Sequence, residues 1–238
     1  MFRKIVAKNL NKENEFRFRG HEVRRIEAFS DAVFAFAVTL LIVSLEVPKN
    51  FDELMNTMRG FLSFSITFAL LMLVWYEQNI FFRRYGMDDL KTVVLNCSLI
   101  FLVLFYVYPL KFLFSVIFNS TGAPMIMREM DIRNLMLIYG GGYICIYFLF
   151  FLMHLHAFSK KGELELTPAE VFDTRTTIFK NAILIIIGFI SIVVALLLQP
   201  LQAGFAGMVY FLIGPAFSIF FKIRAAKKNK LYGSLSDV

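Results

Sequence analysis

An apolar stretch with a charged beginning, residues 25–48, constrains this chain more than any other feature. From Ala32 to Leu45 it is apolar apart from Thr39 and Ser44. With its flanks it can cross a bilayer as a helix, since about 20 residues rising about 1.5 Å each cover the hydrocarbon core. Asp31 stands just inside this span, where a carboxylate is costly and is usually retained for a partner or a pathway. We therefore expect this helix to be the functional one and the other helices to support it.

The composition is that of an all-α integral membrane protein. Of 238 residues, 58% are hydrophobic and 18% are charged, whereas soluble domains average about 45–50% and about 25%. The apolar residues form blocks of membrane-spanning length. The first 25 residues hold eight Lys or Arg and no apolar run, so we expect no cleavable signal peptide and a first span that acts as its own signal.

Six transmembrane helices are predicted from these blocks. Their expected ranges are 28–47, 60–82, 92–118, 135–158, 178–198 and 203–221. Pro109 predicts a kink in the third, and Pro200 a turn before the last. The loop at 159–176 is the longest, and its Thr167-Pro168 pair predicts a helix start, with threonine as the N-cap.

The distribution of basic residues gives the orientation. Counted over alternate connecting segments and the termini, 20 Lys and Arg lie on one side and 4 on the other. The positive-inside rule then places both termini in the cytoplasm. The chain divides into a basic N-terminal segment (1–25), a transmembrane domain (26–222) and a polar cytoplasmic tail (223–238). The net charge of +7 follows this pattern, so we expect no nucleic-acid partner.

One face of the first helix carries bulky apolar side chains and a single hydroxyl. At about 100° per residue, one face carries Phe36, Thr39, Leu40, Val43 and Val47. Such a stripe is commonly plain helix packing. Alternatively, several copies of it surround an axis, so that apolar rings close a passage by dewetting and threonine oxygens meet a dehydrating cation. Spacing alone leaves both interpretations open.

A motif at the start of this span resembles a family signature. The sequence Arg25-x-x-x-Phe29-Ser30-Asp31 is similar to that of the transmembrane protein 175 family, the potassium channels of lysosomes and endosomes and their bacterial relatives. The similarity continues through residues 32–41. It reappears in the second and third spans, at these positions: Trp75, Leu95-Asn96, Pro109.

This resemblance implies a potassium-selective channel, a homotetramer in a bacterial cell membrane, with no cofactor and potassium as the permeating ion. Its partners are further copies of itself and membrane lipid. By position, Phe36, Leu40 and Val43 form the pore constriction, and Thr39 the hydroxyl layer on the potassium path. Two departures stand out: Phe36 replaces the usual Ile or Leu, and no histidine follows Trp75, so a pH response based on that histidine does not transfer.

The signature residues have two physical interpretations. Ser30 and Asp31 can cap amides at the helix start. The interpretation that we favour is a buried polar network of Arg25, Ser30 and Asp31 with Asn96 and the Trp75 indole, which fixes the rotation of the helix.

Other candidates are weaker. His154 and His156 point about 200° apart on a helix and cannot share one ion, so we expect them at the membrane interface. The glycines at 140–142 predict close helix contact. Cys97 and Cys145 are expected to be small buried hydrophobes. No arrangement typical of an enzyme stands out.

The main alternative function is a proton- or cation-coupled transporter. It would use Asp31 and Glu77 as relays, and inverted repeats or broken helices would favour it. Neither is evident in the sequence, and Glu77 is expected to be interfacial. A non-conducting membrane scaffold is the third possibility.

Overall fold

A computed structural model describes residues 16–20, 22–43, 48–118 and 128–232 of the chain. These residues form only helices and connecting segments. In chain order the helices are α1 (Arg25–Val43), α2 (Phe51–Arg59), α3 (Phe61–Tyr85), α4 (Leu90–Ile117), α5 (Glu129–Ser159), α6 (Pro168–Leu197), a 3₁₀-helix (Pro200–Leu212) and α7 (Ile213–Tyr232).

Five helical segments are long and apolar enough to cross a membrane. They are Phe61–Tyr85, Leu90–Ile117, Met130–Ser159, Pro168–Leu197 and Pro200–Lys228. These correspond to the second to sixth predicted spans and make the chain a multi-pass membrane protein. The first predicted span corresponds to α1, whose expected end at 44–47 lies outside the described residues.

Several boundaries differ from the prediction because polar residues extend the helices beyond the apolar blocks. α5 begins at Glu129 rather than at 135. α6 begins at Pro168 rather than at 178. As predicted, Thr167 is its N-cap: the Thr167 hydroxyl accepts from the Glu170 amide at 3.3 Å, and the Glu170 carboxylate accepts from the Thr167 amide at 2.9 Å. The last span is a 3₁₀-helix followed by α7, which extends to Tyr232, well into the predicted tail.

The short helix α2 was not predicted. Asn50 is its N-cap, with the side-chain oxygen accepting from the Glu53 amide at 2.8 Å. The Glu53 carboxylate in turn accepts from the Lys49 amide at 2.7 Å and from the Asn50 side-chain amide at 2.9 Å. The sequence Asn50-x-x-Glu53 is therefore the signal that could have revealed this helix.

Close packing at the glycines of α5 agrees with the prediction. A Cβ atom on Gly142 would lie 2.2 Å from Cε2 of Tyr106, and one on Gly140 would lie 2.6 Å from Cγ1 of Ile192. Gly141, between them, has nothing within 4 Å of such an atom. Gly140 and Gly142 thus allow α5 to approach its neighbours, and Gly141 does not take part.

Substitution of Gly142 by alanine is expected to lower the unfolding temperature. The added methyl group must displace the Tyr106 ring, whose hydroxyl donates to the Tyr139 carbonyl at 2.7 Å. Overpacking of this kind costs about 1–3 kcal/mol. Thermal unfolding of the detergent-solubilised protein checks the prediction, with Gly141→Ala as the matched control. Equal unfolding temperatures for the two variants would contradict the packing role of Gly142.

The prediction that the two cysteines are buried is wrong. Cys97 on α4 and Cys145 on α5 are both exposed. In a membrane protein, an apolar side chain can face lipid as readily as protein, so hydrophobicity alone does not place it in the core.

The segments predicted to share one side of the membrane meet at one end of the helix bundle. The Arg19 and Gly20 amides donate to the Arg83 carbonyl at 3.0 and 3.1 Å. The Arg19 guanidinium lies 2.7 Å from the Glu170 carboxylate at the start of α6, and both side chains are largely buried. At the same end, Lys228 of α7 pairs with Asp173 at 2.7 Å. These contacts agree with the alternation of basic segments, and we call this end of the bundle the basic end.

Candidate functional site on helix α1

One face of α1 is buried against the other helices of the chain. Ser30, Phe34, Ala37 and Leu41 follow the i, i+4, i+7, i+11 spacing, and each is at most 2% exposed. Among the described helices, α1 contacts only α3 and α4. The buried face therefore fixes the rotation of α1 on these two helices.

The opposite face of α1 is left uncovered by the described chain. Phe29 and Phe36 are each 57% exposed, and Thr39 is exposed one turn after Phe36. The small residues Ala32 and Ala35 lie between them and are also exposed. We call this surface, formed by Phe29, Ala32, Ala35, Phe36 and Thr39, the open face.

Of the remaining predicted constriction residues, Leu40 lies at the border of the open face. Leu40 is half-buried, since it lies between the open face and the buried face. The side chain of Val43 lies outside the described residues. The structure therefore brings Phe36 and Thr39 onto one surface and turns Leu40 partly away from it.

The Thr39 hydroxyl is oriented by its own helix. Its Oγ1 donates to the Ala35 carbonyl at 3.0 Å. Because the hydroxyl proton is used in this bond, the oxygen lone pairs stay available as acceptors on the open face. Such an oxygen can approach a cation.

A buried chain of hydrogen bonds lies behind the open face. Gln78 of α3 donates from Nε2 to Oδ1 of Asn96 in α4 at 2.7 Å. Asn96 donates from Nδ2 to the Ser30 hydroxyl at 2.9 Å, and Ser30 donates to the Ile26 carbonyl at 2.7 Å. Gln78, Asn96 and Ser30 are at most 2% exposed. This series of hydrogen bonds joins α1, α3 and α4 through satisfied polar groups, which specifies one packing arrangement.

The part that Gln78 takes in these hydrogen bonds was not predicted. Gln78 lies three residues after Trp75, so both side chains project from neighbouring positions on α3. The signal was therefore present in the spacing, but Gln78 stands in a segment, Trp75-Tyr76-Glu77-Gln78-Asn79, that departs from the family pattern.

Asp31 forms a second, exposed connection to α3. The Trp75 indole Nε1 donates to its carboxylate at 2.8 Å. Arg25 and Phe29 do not join either connection: Arg25 is exposed and has no hydrogen bond or ion pair among the described residues, and Phe29 faces outward. The capping interpretation does not fit, because α1 begins at Arg25 and the side chains of Ser30 and Asp31 contact other groups.

The second candidate relay, Glu77, forms an ion pair. Lys180 of α6 lies 2.6 and 2.7 Å from its two carboxylate oxygens. The Lys180 side chain is 16% exposed. This pair joins α3 to α6, so the Glu77 carboxylate is part of a contact between these two helices.

The two histidines lie apart, and the described residues contain no group of three metal-ligating side chains. His154 is buried beside the rings of Phe81 and Tyr85, which corrects its expected interfacial position. His156 lies 2.7 Å from the carboxylate of Asp89 at the basic end. Partial burial opposes ionisation of Asp89, but hydrogen bonds from Thr92 and His156 outweigh it and lower the pKa of the carboxyl.

Comparisons with known proteins agree on one family. Residues 25–109 match the family model described as endosomal/lysosomal potassium channel TMEM175. A potassium channel of Marivirga tractuosa is 36% identical over 97% of this chain and 98% of its own length. A potassium channel of Chamaesiphon minutus is 32% identical over 37% of this chain and 47% of its own length.

Solved structures give the same result for the fold. A crystal structure of a variant of the potassium channel MtTMEM175, in complex with a Nanobody-MBP fusion protein, is 35% identical, with a TM-score of 0.79 over 89% of this chain and 97% of that chain. The lysosomal potassium-selective channel TMEM175 homolog from Chamaesiphon minutus is 22% identical, with a TM-score of 0.52 over 86% of this chain and 97% of that chain. At that identity the second structure supports the fold alone.

Proposed function

Because the chain belongs to the family of the endosomal/lysosomal potassium channel TMEM175, we propose that it conducts potassium ions along a path lined by the open face of α1. The observation that carries this proposal is the division of α1 into two faces. One face is fixed by the core and by the Ser30–Asn96–Gln78 bonds, and the other is uncovered and carries Phe36 and Thr39.

The open face requires further copies of the chain to form a passage. A single helix face cannot enclose an ion, and the described part of this chain places no other helix over it. We assign the assembly as a homotetramer in which four open faces surround one axis. Each subunit contributes six spans, and the basic end, with both termini, lies in the cytoplasm of a bacterial cell. Multi-pass insertion in the cell membrane is part of this proposal.

Within the assembly, Phe36 and Thr39 have different roles. Four Phe36 rings form an apolar constriction that closes by dewetting, with Leu40 at its border and Val43 one turn further along. Four Thr39 oxygens provide acceptors that partly replace the hydration shell of a potassium ion. The buried hydrogen bonds fix the rotation of α1 about its own axis. A rotation of about 100° would turn a different set of α1 side chains toward the passage.

Reversal potentials test the proposed function. The full-length protein is reconstituted in lipid vesicles, and currents are recorded under opposed potassium and sodium gradients, with protein-free vesicles as the control. Ohmic current that reverses near the potassium equilibrium potential is expected. Saturable, proton-coupled flux would indicate the transporter, and the absence of flux the scaffold; either would contradict the proposal.

A further inference from the structure

A groove on the outer surface of the bundle lies between α5 and α6, away from α1. It encloses about 470 Å³. Its walls are two stripes of apolar side chains: Ile144, Phe148 and Phe151 on α5, and Ala182, Ile186 and Phe189 on α6. Neither helix contacts α1 among the described residues. The groove is therefore separate from the proposed pore.

Both stripes continue toward the basic end, where each meets a cation. Arg175 precedes Ala182 by seven residues, so it lies on the same face of α6, about 10 Å nearer the end of the bundle. On α5 the stripe continues to Phe158, fourteen residues after Ile144. The Arg175 guanidinium carbon lies 5.3 Å and the Lys161 ammonium nitrogen 5.1 Å from the centroid of the Phe158 ring. Two cations therefore lie beside one ring at the end of the groove nearest the basic end, which we call the head of the groove.

These two cations have no carboxylate partner in the described part of the chain. Arg175 and Lys161 are both exposed and form no ion pair there. The nearby acidic side chains are engaged elsewhere: Glu163 pairs with Lys160 at 3.2 Å, and Asp173 with Lys228 at 2.7 Å. The head of the groove is therefore electropositive.

We infer that this groove binds an anionic phospholipid, with one acyl chain between α5 and α6 and the phosphate between Lys161 and Arg175. The groove faces hydrocarbon over its apolar length, and long basic side chains at a span end reach the headgroup region. Paired basic side chains at the cytoplasmic end of transmembrane helices favour anionic headgroups. The positive charge at the head of the groove and its apolar length therefore favour the same ligand. This inference does not depend on whether the protein conducts potassium.

Fluorescence quenching by brominated lipid tests this site in the full chain. The sequence contains one tryptophan, Trp75 on α3, so Phe189→Trp adds a reporter in the groove and the unsubstituted protein gives the background. Vesicles contain equal parts of phosphatidylglycerol and phosphatidylcholine, with only one of the two brominated at a time. We expect brominated phosphatidylglycerol to quench the new tryptophan more strongly, with a local enrichment of about fivefold for each cation.

Two further variants in the Phe189→Trp background separate the headgroup from the acyl chain. The Lys161→Ala and Arg175→Ala double substitution is expected to make quenching by the two brominated lipids equal, because it removes both cations. The fold should stay intact, since both side chains are exposed. Ala182→Phe fills the groove and is expected to reduce quenching by both lipids. Lys91→Ala, which removes an exposed cation at the same end on α4, is the matched control and should preserve the preference.

Four results would overturn the inference. Equal quenching by the two lipids in the Phe189→Trp protein would show that no anionic lipid is selected. A preference that survives in the double variant would place the selectivity elsewhere. Protection of the new tryptophan from both lipids would indicate that a second copy of the chain covers the groove. Added inorganic phosphate should leave the preference unchanged, because the acyl chain holds the lipid in place. Loss of the preference on addition of phosphate would indicate that the two cations bind free phosphate instead.

Discussion

Replacement of Asp31 by alanine is expected to abolish potassium current in reconstituted vesicles. The Asp31 carboxylate accepts from the Trp75 indole at 2.8 Å and joins α1 to α3 beside the open face. A hydrogen bond to a charged group contributes about 1.5–3 kcal/mol, and without it the rotation of α1 depends on the buried bonds alone. Current per reconstituted protein, together with the oligomeric state by size-exclusion chromatography, measures the effect.

Two further variants identify the cause. Asp31→Asn keeps an oxygen that can accept from Trp75 and is expected to retain part of the current, whereas Trp75→Phe removes the donor and should resemble Asp31→Ala. Asp52→Ala, at an exposed aspartate of α2, is the matched control and should behave as the original protein. Normal tetramers and normal current in Asp31→Ala would show that this contact does not hold the pore helix in place.

Replacement of Phe36 by alanine is expected to raise single-channel conductance severalfold. Phe36 is 57% exposed on the open face, so four phenyl rings would leave the constriction together. A wider and less bulky constriction admits water more readily, which lowers the barrier that dewetting imposes. Single-channel recording in symmetrical potassium solution gives the result.

Phe211→Ala provides the comparison for Phe36→Ala. Phe211 lies in the 3₁₀-helix, is 78% exposed, and belongs to an element that does not contact α1 among the described residues. Its removal should leave conductance unchanged. Equal effects of the two substitutions, or none from either, would place Phe36 against lipid instead of a passage.

Hydropathy was sufficient to locate the long helices, because a membrane span needs a continuous apolar block whatever its neighbours are. The limits of those helices needed capping chemistry as well, which explains the early start of α6 at Pro168. The nine residues of α2 mix polar and apolar side chains, so they form no apolar block that hydropathy would detect. Which side of a span faces lipid was beyond hydropathy, as the exposure of Cys97 and Cys145 shows.

The contacts of the site were predictable only in part. Ser30, Asp31, Trp75 and Asn96 were expected together, and the structure pairs Asn96 with Ser30 and Trp75 with Asp31. Their separation into a buried and an exposed connection depends on the tertiary packing of α3 and α4, which a single sequence does not encode in its spacing.

Accessibility of Thr39 from the aqueous phase tests the central claim most directly. In a protein whose native cysteines are replaced by alanine, Thr39→Cys is exposed to a small cationic thiol reagent during current recording. Val38→Cys is the control, because Val38 is rotated by about 100° and packs against the core. We predict irreversible loss of current for Thr39→Cys and none for Val38→Cys. Unchanged current in the Thr39→Cys protein, with the reagent reacting elsewhere on α1, would contradict a potassium path along the open face.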